Sequence, residues 1–392
     1  MRILHTISSV NPAGGGPIEG VRQLGKVNTL SGHTVEIASL DEPNASFLKD
    51  FGFPVHALGP SSLGYCLAPR YVPWLRDNAS KYDIIIVNGI WQYTSFGAWR
   101  ALGQSSTPYV VFTHGMLDPW FKRRYPLKHF KKWLYWPWAE YRVLRDAAAV
   151  LFTCEEERLL ARQSFWMYSV KERVVNYGTA EPTGSREDER RQLFNRFPEL
   201  VSKRILLFMG RIHPKKGCDV AIQSFAATLA EDPRWHLVIA GPDQTGWKSS
   251  LQSLAAKLNI SDQVTWTGMI SGSLKWGLIK SSEVFFLPSH QENFGIVVAE
   301  ALACGVPALI SNKVNIWREV QNDGAGLVAN DDLNGATTLL KHWHNLDSLS
   351  RDRMRAAARA SFEKRFEIHG ASRSLLSVLS EVLDKRASRT TQ

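Results

Sequence analysis

Short β-rich runs alternate with longer amphipathic stretches along almost the whole chain, and that alternation confines it to βα units wrapped around parallel sheets. In the first half the strand candidates are residues 3–7, 34–40, 84–88, 109–113 and 148–153. In the second half they are residues 205–209, 236–240, 264–267, 284–287, 308–311 and 326–328. Between the two series lies EPTGSREDERRQLFNRFPELVSK, where Pro182, Gly184 and a charge-rich run interrupt the pattern. At ~150 residues per domain, a chain of 392 residues divides into two. The expected divisions are a Rossmann-like domain over 1–180, a linker over 181–203 that turns helical after its first residues, a second Rossmann-like domain over 204–366, and a C-terminal helix over 367–392. That helix carries Leu375, Leu376, Val378, Leu379 and Val382, enough apolar surface to pack on a domain.

Composition narrows the function classes. Hydrophobic residues at 44% and charged residues at 21% exclude a disordered chain. Lys plus Arg exceeds Asp plus Glu by 47 to 37, a net charge of +10 that points to anionic partners such as phosphates, lipid headgroups or nucleic acid. The four cysteines, Cys66, Cys154, Cys218 and Cys304, have neither zinc spacing nor the density of a disulfide framework, so a reducing compartment is expected. The start, MRILHTISSV, is too short and mixed for a secretory signal, and the apolar runs fall far below the roughly 20 residues that span a bilayer. The expectation is a soluble chain or one attached to a membrane surface.

Ligands of doubly wound sheets bind at the carboxyl ends of strands, and two such domains imply a cleft, so chemistry is sought in the loops just after strands. After residues 3–7 comes Asn11-Pro-Ala-Gly-Gly-Gly-Pro17, where glycines before a helix let amides approach an anion; it is not a P-loop. After 205–209 comes Gly210-Arg-Ile-His-Pro-Lys-Lys-Gly217, whose Arg211 and Lys216 offer a planar fork and a mobile point charge to a diphosphate. An Arg directly after a buried strand and a glycine is expected to be poorly placed for solvent. After 284–287 comes Pro-Ser-His-Gln-Glu292-Asn-Phe-Gly-Ile-Val-Val-Ala-Glu300, with a helix expected from about Phe294. Glu292 then stands at the helix mouth and Glu300 about two turns along, a pair of carboxylates suited to vicinal hydroxyls. Gly295 and Ile296 supply amides that cap a phosphate. The neighbours of Glu300 make that helix mostly buried, and a buried carboxylate needs partners. Thr113-His114-Gly115 places a histidine at another strand end, aimed at the cleft, although a lone histidine there more often packs or caps than binds a ligand.

Absent patterns constrain the reaction too. No Asp-x-Asp follows a strand, and HExxH, GxSxG and a paired-cysteine motif are all missing, which removes metalloprotease, α/β-hydrolase and redox readings.

The glycine loop, GRxxxxKG at Gly210–Gly217 and the Glu-x7-Glu signature from Glu292 to Glu300 with Phe294-Gly295 inside it, in that order, resemble the retaining nucleotide-sugar enzymes of glycosyltransferase family 4. The wording HGMLDPW with KKWLYW resembles bacterial enzymes of exopolysaccharide and lipopolysaccharide assembly. The resemblance covers nearly the whole chain and implies the GT-B fold: α/β, two Rossmann-like doubly wound parallel-sheet domains facing a central cleft, with the C-terminal helix crossing back to the first domain. It implies that the first domain takes the acceptor and the second the donor. Arg211 and Lys216 would neutralise the donor diphosphate in place of a metal, so no cofactor is expected. Glu300 would hold ribose hydroxyls and Glu292 those of the transferred sugar, with the amides of Phe294, Gly295 and Ile296 meeting sugar or phosphate. Gly15 and Gly16 would close over the phosphates, His114 would contact the donor sugar near the reacting carbon, and the loop at Met269 would read the base through its backbone. The implied donor is a UDP-hexose, with GDP next and glucose chosen on frequency. The implied acceptor is a glycan or a polyprenyl-diphosphate-linked glycan.

The segment from Pro119 to Trp138 interleaves six Lys or Arg with aromatics and holds four of the 14 tryptophans. Trp120, Lys122, Arg123, Arg124, Lys131, Lys132 and Trp133 suit a membrane interface or a lipid-linked acceptor, against the plainer account of core aromatics beneath a solvated basic face. The expected location is cytoplasmic, peripheral on the inner face of the cytoplasmic membrane. Two other functions fit parts of the pattern: a nucleotide-sugar 2-epimerase, and a basic nucleic-acid-binding protein. The Glu-x7-Glu pattern argues against the first, and no recognised nucleic-acid module supports the second.

Overall fold

The computed structural model describes residues 1–49, 51–61 and 64–390, so the last two positions of the expected C-terminal segment lie outside it. The chain forms two compact units, Met1–Gly178 together with Ile368–Gln392, and Thr179–Glu367.

In the first unit the strands are β1 (Arg2–Ile7), β2 (Thr34–Ser39), β3 (Val55–Ala57), β4 (Ile84–Asn88), β5 (Tyr109–Phe112), β6 (Ala149–Phe152) and β7 (Glu172–Val174). They form one parallel sheet in the order β3-β2-β1-β4-β5-β6-β7. Every residue of β4, β5 and β6 is buried, as in a parallel sheet covered on both faces, and this is why these strands read as unbroken apolar runs. The edge strands β3 and β7 were not expected: each has only three residues, none of them buried, so neither leaves a run of apolar residues.

The second unit contains β8 (Arg204–Met209), β9 (Trp235–Ala240), β10 (Val264–Gly268), β11 (Ser282–Leu287), β12 (Ala308–Ser311) and β13 (Gly326–Ala329). Their order is β10-β9-β8-β11-β12-β13, again parallel. Both sheets reverse their winding beside their first strand, between β1 and β4 and between β8 and β11, which is where ligands bind in doubly wound sheets.

The helices that bear on the site are α1 (Gly16–Leu30), α2 (Tyr93–Leu102), α3 (Trp120–Arg124), α4 (Pro126–Tyr135), α5 (Arg186–Arg196), α6 (Gly272–Ser281), α7 (Ile296–Ala303) and α8 (Ile368–Thr390). Helix α8 lies in the first unit and packs on α1: Ser372 Oγ donates to Asn28 Oδ1 at 2.6 Å in a buried bond, and Leu375 and Leu379 are fully buried. Residues 181–203, expected as a linker, are part of the second unit. Ser185 caps α5 by accepting from the Asp188 amide, and Lys280 Nζ meets Glu189 Oε2 at 2.7 Å. Gly277 makes this approach feasible, because a Cβ there would sit 2.3 Å from the Glu189 carbonyl oxygen. Among the described residues, no helix is long and apolar enough to cross a membrane.

Candidate functional site

In the second unit two loops that are 70 residues and more apart in sequence lie together, because β8 and β11 are neighbours. The loop after β8 runs through Arg211 to Gly217, and the loop after β11 through Ser289 to Gly295. Backbone and side-chain bonds join them: the His290 amide donates to the Lys215 carbonyl at 2.8 Å, Ser289 Oγ to the same carbonyl at 3.0 Å, and Lys215 Nζ to Gln291 Oε1 at 3.1 Å. Glu292 is further stapled to the next strand end, its amide donating to Lys313 and its carbonyl accepting from Asn315.

These bonds place Lys216 Nζ in direct contact with Glu292 Oε2. Lys216 is 7% exposed, and desolvation, with Lys215 and Arg211 adding to it, pushes its pKa down from the ordinary lysine value. Pairing with the Glu292 carboxylate means that the ammonium is not left as a lone buried cation, which would be costly. Arg211 is exposed, not shielded from solvent as expected, with Nη1 3.3 Å from Gln244 Oε1.

The helix after Glu292 begins at Ile296, two residues later than expected. Gly295 is its N-cap with φ of 74°, a left-handed conformation that favours glycine, and Phe294 is buried. Gly295 brings no side chain to the first turn of α7, and the positive end of the helix dipole lies beside the Lys216–Glu292 pair. Glu300 therefore sits about one helical turn inside α7 rather than two, and is 6% exposed. Its partner comes from α6: Lys275 Nζ lies 2.7 Å from Glu300 Oε1, with the ammonium 4.4 Å above the Trp276 ring. Nothing in the spacing of Glu292 and Glu300 points to Lys275. Met269 follows β10 and is 74% exposed.

In the first unit, Gly15 is the N-cap of α1 with φ of 88°, and Gly16 opens the helix. Both are exposed, and a Cβ at either would meet nothing within 4 Å, so their glycines leave open room above the turn. His114 follows β5 with φ of 47°, before Gly115 at 74°. This pair of left-handed residues is braced by Glu157, which is buried. Glu157 Oε1 accepts from the Gly115 amide at 2.6 Å and from Thr113 Oγ1 at 2.7 Å, and Oε2 accepts from the amide and hydroxyl of Thr153, both at 2.7 Å. The His114 ring stacks on Phe112 at 5.2 Å and 17°, and burial pushes its pKa down to about 4. Glu157 carried no sequence signal of its own; it is the third residue of the short helix Glu155–Ala161.

The aromatic-basic segment divides in two. Trp136 is fully buried and stacks on Phe165 at 4.4 Å, whereas α3 and α4 contribute no buried residue at all. Leu127, Phe130, Trp133, Leu134 and Trp138 are exposed, as are Lys122, Arg123, Arg124 and Lys131, with Trp120 half-buried beside them. Lys132 is half-buried, its ammonium 4.5 Å over the Trp91 ring. Burial lowers its pKa to about 8.

The family model for glycosyl transferases group 1 matches residues 189–360, and that for the glycosyl transferase 4-like domain matches residues 15–178. The chain is 24% identical over 347 residues to GDP-mannose:cellobiosyl-diphosphopolyprenol alpha-mannosyltransferase of Xanthomonas campestris, 85% of this chain and 84% of that one. It is 35% identical over 131 residues to D-inositol 3-phosphate glycosyltransferase of Thermomonospora curvata, a match over 32% of this chain and less than a third of that relative's length, 30%. Among solved structures, Anabaena HepE in complex with UDP and glucose superposes with a TM-score of 0.78 at 18% identity, covering 97% of this chain and 100% of that one. Sucrose-phosphate synthase from Thermosynechococcus elongatus gives 0.77 at 20% identity, covering 98% and 99%. At such identities these two likenesses establish the architecture alone.

Proposed function

The chain belongs to glycosyltransferase family 4 and has the GT-B fold, and on that premise we propose that it is a retaining, metal-independent hexosyltransferase acting on a nucleotide sugar. The observation that carries this is the cluster at the β8 and β11 strand ends: Lys216 against Glu292, Arg211 exposed beside them, and Glu300 buried in the helix that starts at Gly295. A diphosphate needs cations and amides, and a ribose or hexose needs carboxylates that accept from hydroxyls. Both chemistries occur within these two loops and one helix.

In this reading Arg211 and Lys216 receive the negative charge that develops on the leaving diphosphate, doing the work a metal ion does elsewhere. Lys216 then exchanges part of its contact with Glu292 for phosphate oxygens, freeing Glu292 for sugar hydroxyls. Glu300 holds the ribose with Lys275 as its neutralising partner, and the exposed Met269 turn reads the base through backbone groups. Phe294, Gly295 and Ile296 supply amides to sugar or phosphate. On the first unit, the Gly15–Gly16 turn accommodates an anion and His114 meets a hydroxyl of the sugar. The acceptor attacks on the face the diphosphate leaves, which retains the anomeric configuration without a covalent intermediate on Glu292.

A UDP-hexose is the proposed donor. The relative of comparable length is named for GDP-mannose and a diphosphopolyprenol acceptor, which supports GDP as the second candidate and a polyprenyl-diphosphate-linked glycan as acceptor. Such an acceptor is lipid-borne, so we place the enzyme in the cytoplasm, peripheral on the membrane, with the exposed face of α3 and α4 toward lipid and its product a surface polysaccharide.

Calorimetry with UDP, GDP, ADP and their hexose conjugates in the presence of EDTA tests the donor site. We expect one nucleotide to bind the wild type and to lose its affinity in Glu300→Ala. Binding that requires added magnesium would overturn metal independence, and an unchanged affinity in Glu300→Ala would overturn the ribose assignment.

A further inference from the structure

A side chain that no motif singles out joins two histidines at the switch point of the first sheet. Asn88 is the last residue of β4 and is 4% exposed. Its Nδ2 lies 3.3 Å from both the Thr6 and Ile86 carbonyl oxygens and 3.2 Å from His5 Nδ1, while its Oδ1 lies 3.2 Å from His114 Nε2.

The orientation of this amide follows from its neighbours. Two backbone carbonyls only accept, so the group facing them must be the NH2; turning the amide over would set its oxygen against both. The amide oxygen therefore faces His114, and since that oxygen only accepts, His114 Nε2 carries the proton. By the same reasoning His5 Nδ1 accepts from Asn88, so the His5 proton is on Nε2, a buried atom without a hydrogen-bond partner. One side chain thus sets the tautomer of both rings.

The His114 ring is held in its other degrees of freedom as well. Phe112 stacks on one face, Tyr177 meets it edge-on at 6.3 Å, and Glu157 fixes the left-handed backbone on which it stands. With Nε2 engaged, Nδ1 remains as the polar ring atom, and it is a lone pair.

We propose that Asn88 is a positioning residue that fixes the neutral His114 ring with its proton on Nε2, so that Nδ1 accepts a hydrogen bond from a sugar hydroxyl. This rests on the reading that His114 meets the sugar. The choice of amide over carboxylate matters: Asp at this position would accept from both rings but set one oxygen against the Thr6 and Ile86 carbonyls, and it would draw a second proton onto His114 and His5, turning His114 Nδ1 into a donor. The titratable groups facing this ring are His5 from β1, Tyr177, and Glu157 through the loop it braces. Burial already keeps His114 and His5 neutral at pH 7.

The test uses the full chain labelled with 15N at histidine, with the His114 resonances assigned by their loss in His114→Gln. At pH 7 to 8 the wild type should show His114 protonated at Nε2 and should keep that form until well below pH 6. In Asn88→Asp the His114 titration should rise by about one pH unit or more, and the acid limb of kcat/KM should rise with it. Asn88→Leu should release the tautomer to a mixture and lower kcat/KM by about tenfold with nucleotide affinity retained. A wild-type His114 protonated at Nδ1 would overturn the proposal whatever the variants do. So would an Asn88→Asp titration that coincides with wild type. If the tautomer is as stated and the variants leave kcat/KM unchanged, it is the contact between His114 and sugar that fails.

Discussion

At the scale of single residues, the site is a set of charges that are safe only in company. Lys216 and Glu292 come from loops of different strands, and the pair is nearly enclosed. Removing one member of such a pair strands the other, which costs more than the pair itself contributes. Lys216→Met should therefore lower the urea stability of the chain by about 3 kcal/mol, and adding Glu292→Gln should recover a substantial part of that loss. Equal, additive losses in the two single variants and their double would show that the pair is not coupled. The place of Lys216 in the loop after β8 was legible from GRxxxxKG, but its partner was not. Glu300 was legible as a buried carboxylate in need of a partner, yet Lys275 lies 25 residues away on α6, and only the packing of that helix brings its ammonium to 2.7 Å. Arg211 shows the opposite failure: a position next to a buried strand suggested shielding, and the side chain is exposed.

At the scale of elements, two devices deserve separate tests. The first is the glycine that starts α7. At Gly295 a Cβ would stand 3.2 Å from Glu292 Cγ and 3.3 Å from Val298 Cγ2 and Val314 Cγ1, on a backbone with φ of 74°. Gly295→Ala should cost about 1–2 kcal/mol in urea unfolding and should weaken nucleotide binding by pushing Glu292 from Lys216. Full affinity in a destabilised variant would detach the helix start from the binding site. The second is α4, where Leu127 and Phe130 are 81% and 58% exposed above a basic rim. Phe130→Ser with Leu134→Ser should change stability by no more than about 0.5 kcal/mol while reducing co-sedimentation with anionic vesicles. Unaltered sedimentation, or an equal preference for neutral vesicles, would remove the lipid assignment. The strands followed their periodicity because a strand buried on both faces must be apolar throughout, whereas β3 and β7 at the sheet edge had no such requirement and left no trace.

At the scale of the whole molecule, both units carry buried neutral histidines and should lose stability in the same acid range. Burial pushes His5 in the first unit and His236 in the second from 6.5 down to about 4. Their folded pKa values lie below the unfolded ones, so between pH 6.5 and 4 the unfolded chain takes up protons that the folded chain refuses, and stability falls with pH by up to about 3 kcal/mol for each histidine. His290, raised by Asp331, offsets part of this. Urea unfolding at steps from pH 7.5 to 4.5 should show the decline beginning near 6.5, with a shallower slope in His236→Gln; a flat profile down to pH 5 would contradict it. The alternation of apolar runs and amphipathic stretches by itself determined that this chain builds two parallel α/β sheets, because the period of burial is written residue by residue. The GRxxxxKG run and the two glutamates likewise sit, as their order along the sequence implied, at the ends of β8 and β11. Only the tertiary structure decided that residues 181–203 pack within the second unit, and that Glu292 takes Lys216 and Glu300 takes Lys275. It also decided that Asn88 links His5 to His114. Those pairings depend on which strands become neighbours, and the order 3-2-1-4 at each switch point joins segments whose separation along the chain carries no local signal.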